Sequence, residues 1–105
     1  NENKILENIN FKLNSNTFTG IVGRSGSGKS TLVKLLARLY KPSNGKIIVD
    51  DYDIQKVELY SFRKQIGFVS QDPYLINGSI LENISIANPE SSKEDIIFSI
   101  EIVLI

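Results

Sequence analysis

The sequence predicts an α/β fold organised around one glycine-rich loop, and three observations carry that prediction. The β-branched and aromatic stretch Thr17-Phe18-Thr19-Gly20-Ile21-Val22 runs directly into glycines at positions 23, 26 and 28, as a buried strand ending in a loop would. Immediately beyond, Leu32, Leu35, Leu36 and Leu39 recur at helical spacing, with Lys34 and Arg38 on another face, the pattern of an amphipathic helix. Upstream, Ile9, Phe11 and Leu13 alternate with Asn10, Lys12 and Asn14, the period of two of a half-buried strand.

The remaining elements follow in order. Asn14, Ser15 and Asn16 form a turn between the first two strands, and Pro42, Ser43, Asn44 and Gly45 break the helix. Lys46-Ile47-Ile48-Val49-Asp50 then reads as a short strand ending in the turn-forming Asp50 and Asp51. Leu59 and Phe62 mark a short helix within residues 57–65, and Ile66-Gly67-Phe68-Val69-Ser70 a further buried strand. Residues 71–79 are a long loop that Pro73 and Gly78 keep irregular, the kind of segment that tends to carry function. Ser91, with Glu94 three residues on, matches a capping box. It opens a last helix along which Ile96, Ile97, Ile100, Val103 and Leu104 share a face.

Composition excludes several classes of function. The 105 residues balance twelve basic side chains with twelve acidic ones, so no global field gathers nucleic acid or anionic lipid, and an anion site must be local. There is no cysteine and no histidine, which removes disulfides, thiolate metal sites and the commonest general base. The apolar C-terminal run is interrupted by Ser99 and Glu101 and falls well short of the ~20 residues a membrane span needs. No secretory signal pattern is present, which favours a cytosolic setting, and the N-x-S matches at Asn77 and Asn83 then carry little weight. The opening on Asn1 and the apolar close lead to the expectation of a fragment cut at both ends. No internal repeat divides the chain.

The chemistry concentrates in Ile21-Val22-Gly23-Arg24-Ser25-Gly26-Ser27-Gly28-Lys29-Ser30-Thr31. Gly23, Gly28, Lys29 and Ser30 fit G-x-x-x-x-G-K followed by Ser or Thr, a spacing that wraps main chain around phosphate oxygens. Glycines let the backbone approach closely and turn successive N–H groups inward, and the following helix adds its positive end. Lys29 would reach the β- and γ-phosphates, the Ser30 hydroxyl would join a Mg²⁺ shell, and Thr31 would cap the helix or touch the α-phosphate. Arg24, Ser25 and Ser27 fill the variable positions. For the side chains of Arg24 and Ser25, solvation is as good a reading as direct contact.

Beyond the loop, residues 23–54 followed by 59–84 resemble the nucleotide-binding domain of ABC transporters, particularly of the exporter type, and the resemblance covers nearly the whole chain. It implies a P-loop NTPase core with an antiparallel β-subdomain, incomplete at both ends. Residues 23–30 would be the Walker A loop, 71–78 the Q-loop region, and 91–105 the start of the helical subdomain. Gln71, in Val69-Ser70-Gln71-Asp72-Pro73, would be the Q-loop residue that contacts Mg²⁺ and the attacking water and links the site to the membrane domain. Read from the residues alone, a glutamine at a strand end is more often structural. Tyr74, Leu75 and Ile76 would meet the transmembrane domain, core burial being the rival reading. Residues 45–54 resemble the family's β-hairpin, with Asp51 where a glycine commonly stands.

As an expectation, then, the chain binds MgATP as part of an exporter ATPase that couples hydrolysis to transmembrane transport. Lys29 and Gln71 would serve catalysis, Ser30 and Gln71 the metal, and residues 23–31 the nucleotide. The partners implied are a transmembrane domain and a second nucleotide-binding domain, with no nucleic acid, at the cytoplasmic face of a membrane. Within the family, the signature motif, Walker B strand, switch histidine and adenine-stacking aromatic fall outside these residues. Strands that separate the loop strand from the Q-loop strand fall outside them too, which implies a small core and marginal stability. Two other readings remain open: an ABC-type clamp acting on DNA or the ribosome, against which the neutral charge tells, and a catalytically silent nucleotide-binding fragment.

Overall fold

A computed structural model describes residues 5–103, which fall into two compact units, Asn1–Phe68 and Val69–Ile105. In the first, helix α1 spans Lys29–Leu36, a two-stranded antiparallel sheet pairs β1 (Ile48–Val49) with β2 (Tyr52–Asp53), and helix α2 spans Leu59–Lys64. The second holds helices α3 (Ile80–Ser85) and α4 (Lys93–Val103), which pack on each other.

Helix α1 ends earlier than the leucine spacing predicts. Arg38 takes a left-handed conformation at φ 55°, its N–H bonds to the Leu35 carbonyl at 3.0 Å, and the Leu39 N–H reaches back to the Lys34 carbonyl at 2.8 Å. This is a Schellman closure, with arginine in the place usually taken by glycine. The left-handed backbone costs an L-residue ~1–2 kcal/mol, and here the side chain supplies an offset. Its guanidinium donates to the carbonyls of Val57 at 2.7 Å and Gln55 at 3.1 Å, while Arg63 donates to the Arg38 carbonyl at 3.0 Å. Three segments are thereby tied together: the end of α1, the chain leaving β2, and α2. Ala37 and Ile54 are the buried apolar residues beside this tie, Ile54 being fully buried.

The hairpin bears out the expected antiparallel β-subdomain turn. Ile48 faces Asp53 and Val49 faces Tyr52, leaving Asp50 (φ 48°) and Asp51 (φ 68°) as a two-residue turn with both residues left-handed, the primed geometry that matches strand twist. Past the ladder, the Ile54 N–H continues the pairing to the Ile47 carbonyl at 3.0 Å. Helix α2 is capped by Glu58, whose carboxylate accepts from the N–H groups of Tyr60 at 2.8 Å and Ser61 at 2.6 Å.

Three expected strands do not form. Residues 9–13, 17–22 and 66–70 belong to no ladder among the described residues, and Phe18, Val22 and Val69, expected to be buried, are almost wholly exposed. The alternation of residues 9–13 encodes a strand face, but a strand's backbone groups are satisfied only by a neighbour, and none of these segments has one. Of the strand expected at 46–50, only Ile48–Val49 is paired.

In the second unit α3 is an element the sequence reading did not assign. Ser79 accepts from the Glu82 N–H at 3.2 Å while Glu82 accepts from the Ser79 N–H at 2.6 Å, a complete capping box. In place of the capping box expected at Ser91 and Glu94, a hydroxyl cap forms one residue later. The Ser92 hydroxyl accepts from the Asp95 N–H at 3.1 Å and donates to its carboxylate at 2.6 Å, because the Ser91 N–H is already committed to the Asn88 carbonyl. On α4, Ile96 is buried, Ile100 half-buried, and Ile97 and Val103 exposed. Leu104 lies outside the described residues.

The turn at Asp50 and Asp51 generates a stability prediction. Asp51→Gly should favour the hairpin by ~0.5–1 kcal/mol, since glycine adopts positive φ without a Cβ penalty. Amide hydrogen exchange at Ile54 should slow by about two- to fivefold, whereas faster exchange would show that the Asp51 side chain contributes more than its backbone costs.

Candidate functional site: the glycine loop and the turn before helix α3

Lys29 is the first residue of α1, and the loop folds back over its side chain. Its ammonium donates to the Gly23 carbonyl at 2.8 Å and the Arg24 carbonyl at 2.7 Å, with the Ser27 hydroxyl at 3.5 Å. The Ser27 N–H closes the loop onto the Arg24 carbonyl at 3.1 Å. Two glycines are required by this geometry. A Cβ on Gly23 would stand 2.7 Å from the Ser27 Oγ and in contact with the Lys29 Cδ, and Gly28 sits at φ 93°, closed to ordinary side chains.

Gly28 is also the N-cap of α1, and having no side chain it leaves the first-turn N–H groups of the helix without a side-chain cap. Thr31 therefore does not cap the helix, contrary to one of the two roles expected for it, and lies in the first turn. The hydroxyls of Ser25, Ser30 and Thr31 make no hydrogen bond among the described residues. Residues 23–31 thus gather one cation, uncapped helix N–H groups and free hydroxyls in one short stretch. Such an arrangement suits an anion with several oxygens.

Gln71 is exposed and belongs to the second unit, in a bend where the Ser70 hydroxyl donates to the Asp72 carbonyl at 2.8 Å. Downstream of it, Tyr74 is 90% exposed and Leu75 73%, so the core reading fails for both, while Ile76 is half-buried. Metal-ligating clusters of three or more carboxylates are absent among the described residues.

The sequence reading missed the side chains that hold the turn after Ile76. Asn83 accepts from the Ile76 N–H at 2.8 Å and donates to the carbonyls of Ile76 at 3.1 Å and Ser79 at 2.9 Å. Glu82 takes the Ser79 N–H and hydroxyl, and its carboxylate lies where a Cβ on Gly78 would come within 2.8 Å. The signal for Glu82 was present, since Ser79-Ile80-Leu81-Glu82 is a capping-box spacing. Asn83 carries no comparable signature.

Glycine loop, enclosed lysine and helix N-terminus, in that order, define a chain of the phosphate-loop class. The chain belongs to the ABC transporter family, which matches residues 6–103, a family of P-loop NTPase fold whose members bind ATP. It is 48% identical over 95 residues to the alpha-hemolysin translocation ATP-binding protein HlyB of Escherichia coli. To the leukotoxin translocation ATP-binding protein LktB it is 47% identical in Mannheimia glucosida and 46% in Mannheimia haemolytica, again over 95 residues. Each match covers 90% of this chain and 13% of the relative's length, so the chain spans about an eighth of these proteins.

Both capping carboxylates should respond to pH. The hydrogen bonds from Ser61 and then Tyr60 hold Glu58 below the usual carboxylate range, and those from Ser79 do the same for Glu82. A lowered folded value means that each cap is fully present above the ordinary glutamate value and is lost as pH falls through the lowered one. In an NMR titration the Ser61 and Ser79 amide resonances should therefore shift with midpoints below that of an unstructured glutamate. Midpoints at or above it would show that the caps do not hold the charged form.

Proposed function

We propose that this chain holds the triphosphate of MgATP within an ABC exporter ATPase, which couples ATP hydrolysis to transmembrane transport. The observation that carries the reading is the Lys29 ammonium enclosed by the Gly23 and Arg24 carbonyls at the start of α1. Two neutral carbonyls leave its charge uncompensated, and charge-assisted bonds to phosphate oxygens are stronger than those it makes here. The printed names of the relatives, translocation ATP-binding proteins for alpha-hemolysin and leukotoxin, support transport as the use of that binding.

Residue roles follow from position. Residues 23–31 wrap the phosphates, with the backbone and Gly26 and Gly28 shaping the cradle and Arg24, Ser25 and Ser27 at its rim. Lys29 offsets charge on the β- and γ-oxygens and favours the transition state, in which that charge redistributes as water attacks the γ-phosphorus. Ser30 offers a neutral hard oxygen that fits Mg²⁺ when the phosphates supply the negative charge, and the Gln71 amide carries an oxygen of the same kind. When bound there, Mg²⁺ would offset the negative charge of the phosphate oxygens. No described residue is placed as a general base, which this reading assigns to another part of the ATPase.

Partners are read on the same footing. The exposed Tyr74 and Leu75 following Gln71 form the contact with a transmembrane domain, and a second nucleotide-binding domain completes the hydrolytic dimer at the cytoplasmic face of the membrane. Among the described residues no helix is long and apolar enough to cross a membrane.

A fluorescent ATP analogue titrated with Mg²⁺ tests the cradle. Lys29→Ala removes one charge-assisted contact and should weaken binding by about ten- to a hundredfold, and unchanged affinity would overturn the assignment. In the absence of a general base the chain alone should hydrolyse no ATP above background. Turnover lost in Lys29→Ala would show that the catalytic group lies within these residues after all.

A further inference from the structure

Two side chains of α3, Asn83 and Glu82, hold the backbone of the turn before that helix. Asn83 reaches back seven residues to pair with both the N–H and the carbonyl of Ile76, as a neighbouring strand would, and its second amide proton goes to the Ser79 carbonyl. Glu82 takes the N–H and hydroxyl of Ser79. Residues 76–79 are therefore pinned at both ends, although the turn has almost no core beneath it, Ile76 being half-buried. The two residues just before the clamp, Tyr74 and Leu75, are the exposed apolar pair.

We infer that Asn83 is a positioning residue for coupling: by holding Ile76 it fixes the path on which Tyr74 and Leu75 meet the membrane domain. The inference rests on the proposed exporter reading. The physical basis is pre-organisation. An apolar pair on a free loop loses chain entropy when it docks, whereas a pair anchored next to a doubly bonded residue has lost most of that freedom beforehand. An amide suits the task better than a carboxylate or a hydroxyl, because only an amide both accepts from the Ile76 N–H and donates to two carbonyls. It is also uncharged, so the clamp does not loosen across the pH range in which Glu82 titrates.

The test separates positioning from folding and from nucleotide binding. In the intact transporter that carries this chain, Asn83→Ala removes all three bonds and should lower substrate transported per ATP hydrolysed by about tenfold. Affinity for the fluorescent ATP analogue should stay within about twofold, since the Asn83 side chain bonds to Ile76 and Ser79 of its own unit. Asn83→Asp keeps the acceptor for Ile76 and loses both donors, so its coupling should fall between the wild type and Asn83→Ala; it also serves where the alanine variant fails to assemble. Leu75→Ala should reproduce the loss of coupling without disturbing the clamp, and amide exchange at Ile76 should quicken in Asn83→Ala but not in Leu75→Ala. Transport and hydrolysis falling in strict proportion in both Asn83 variants, or coupling unchanged in either, would overturn the inference. Retained nucleotide binding in Lys29→Ala would instead overturn the reading of the glycine loop, a separate result.

Discussion

A helix satisfies its own backbone, and a strand depends on a neighbour. That constraint sorts the described residues of this chain. Where hydrogen bonds can close within a few residues, structure is present: four helices, three of them begun by a carboxylate or hydroxyl that takes the first free N–H groups. Where they need a partner at a distance, structure forms only at the hairpin, whose two strands are brought together by a two-residue turn. The buried core is correspondingly small, with Ala37, Ile54 and Ile96 as its apolar members among the described residues. Caps and side-chain ties therefore carry an unusual share of the organisation.

Arg38 is the tie that reaches furthest. A glycine at that position would close α1 with less backbone strain, but it would lose the fork that bonds to Gln55 and Val57. A lysine would be a poorer substitute, since its ammonium is a compact point charge on a flexible stem and lacks the rigid planar fork of the guanidinium. The same residue explains why the helix end was illegible in the sequence. Leucine spacing continues to Leu39, no glycine announces a stop, and the first visible breaker is Pro42. What ends the helix at Leu36 is a left-handed arginine, and its stability comes from carbonyls seventeen and nineteen residues away. No local pattern encodes contacts of that kind.

Legibility elsewhere follows the same division. The glycine loop, the helix after it, the short helix at 59–64 and the hairpin were readable because their determinants lie within a few residues of each other. The strand pattern of residues 9–13 was readable as a periodicity, but periodicity specifies a face and not a partner. Capping boxes were readable as spacings with an ambiguity of register. Ser91 and Ser92 each stand three residues before an acid, and only the commitment of the Ser91 N–H to the preceding turn decides between them. At the candidate site, Lys29 and the glycines were legible from spacing. Asn83 was not, because an asparagine inside a helix has no pattern to mark it until its three bonds are seen.

Lys29 and Asn83 solve the same mechanical problem in chemically different ways. Each holds a short turn by reaching back five to seven residues, a closure so local that it costs little chain entropy. Asn83 is matched on both sides, donor to carbonyl and acceptor to N–H, and being neutral it leaves nothing unanswered. Lys29 only donates, and the carbonyls that receive its bonds cannot neutralise its charge. An arriving anion offers Lys29 more than Gly23 and Arg24 do, while no ligand offers Asn83 a better complement than the backbone it already holds. The first contact is therefore exchangeable and the second permanent. A nucleotide site needs a group that can change partners, and a docking surface needs one that does not.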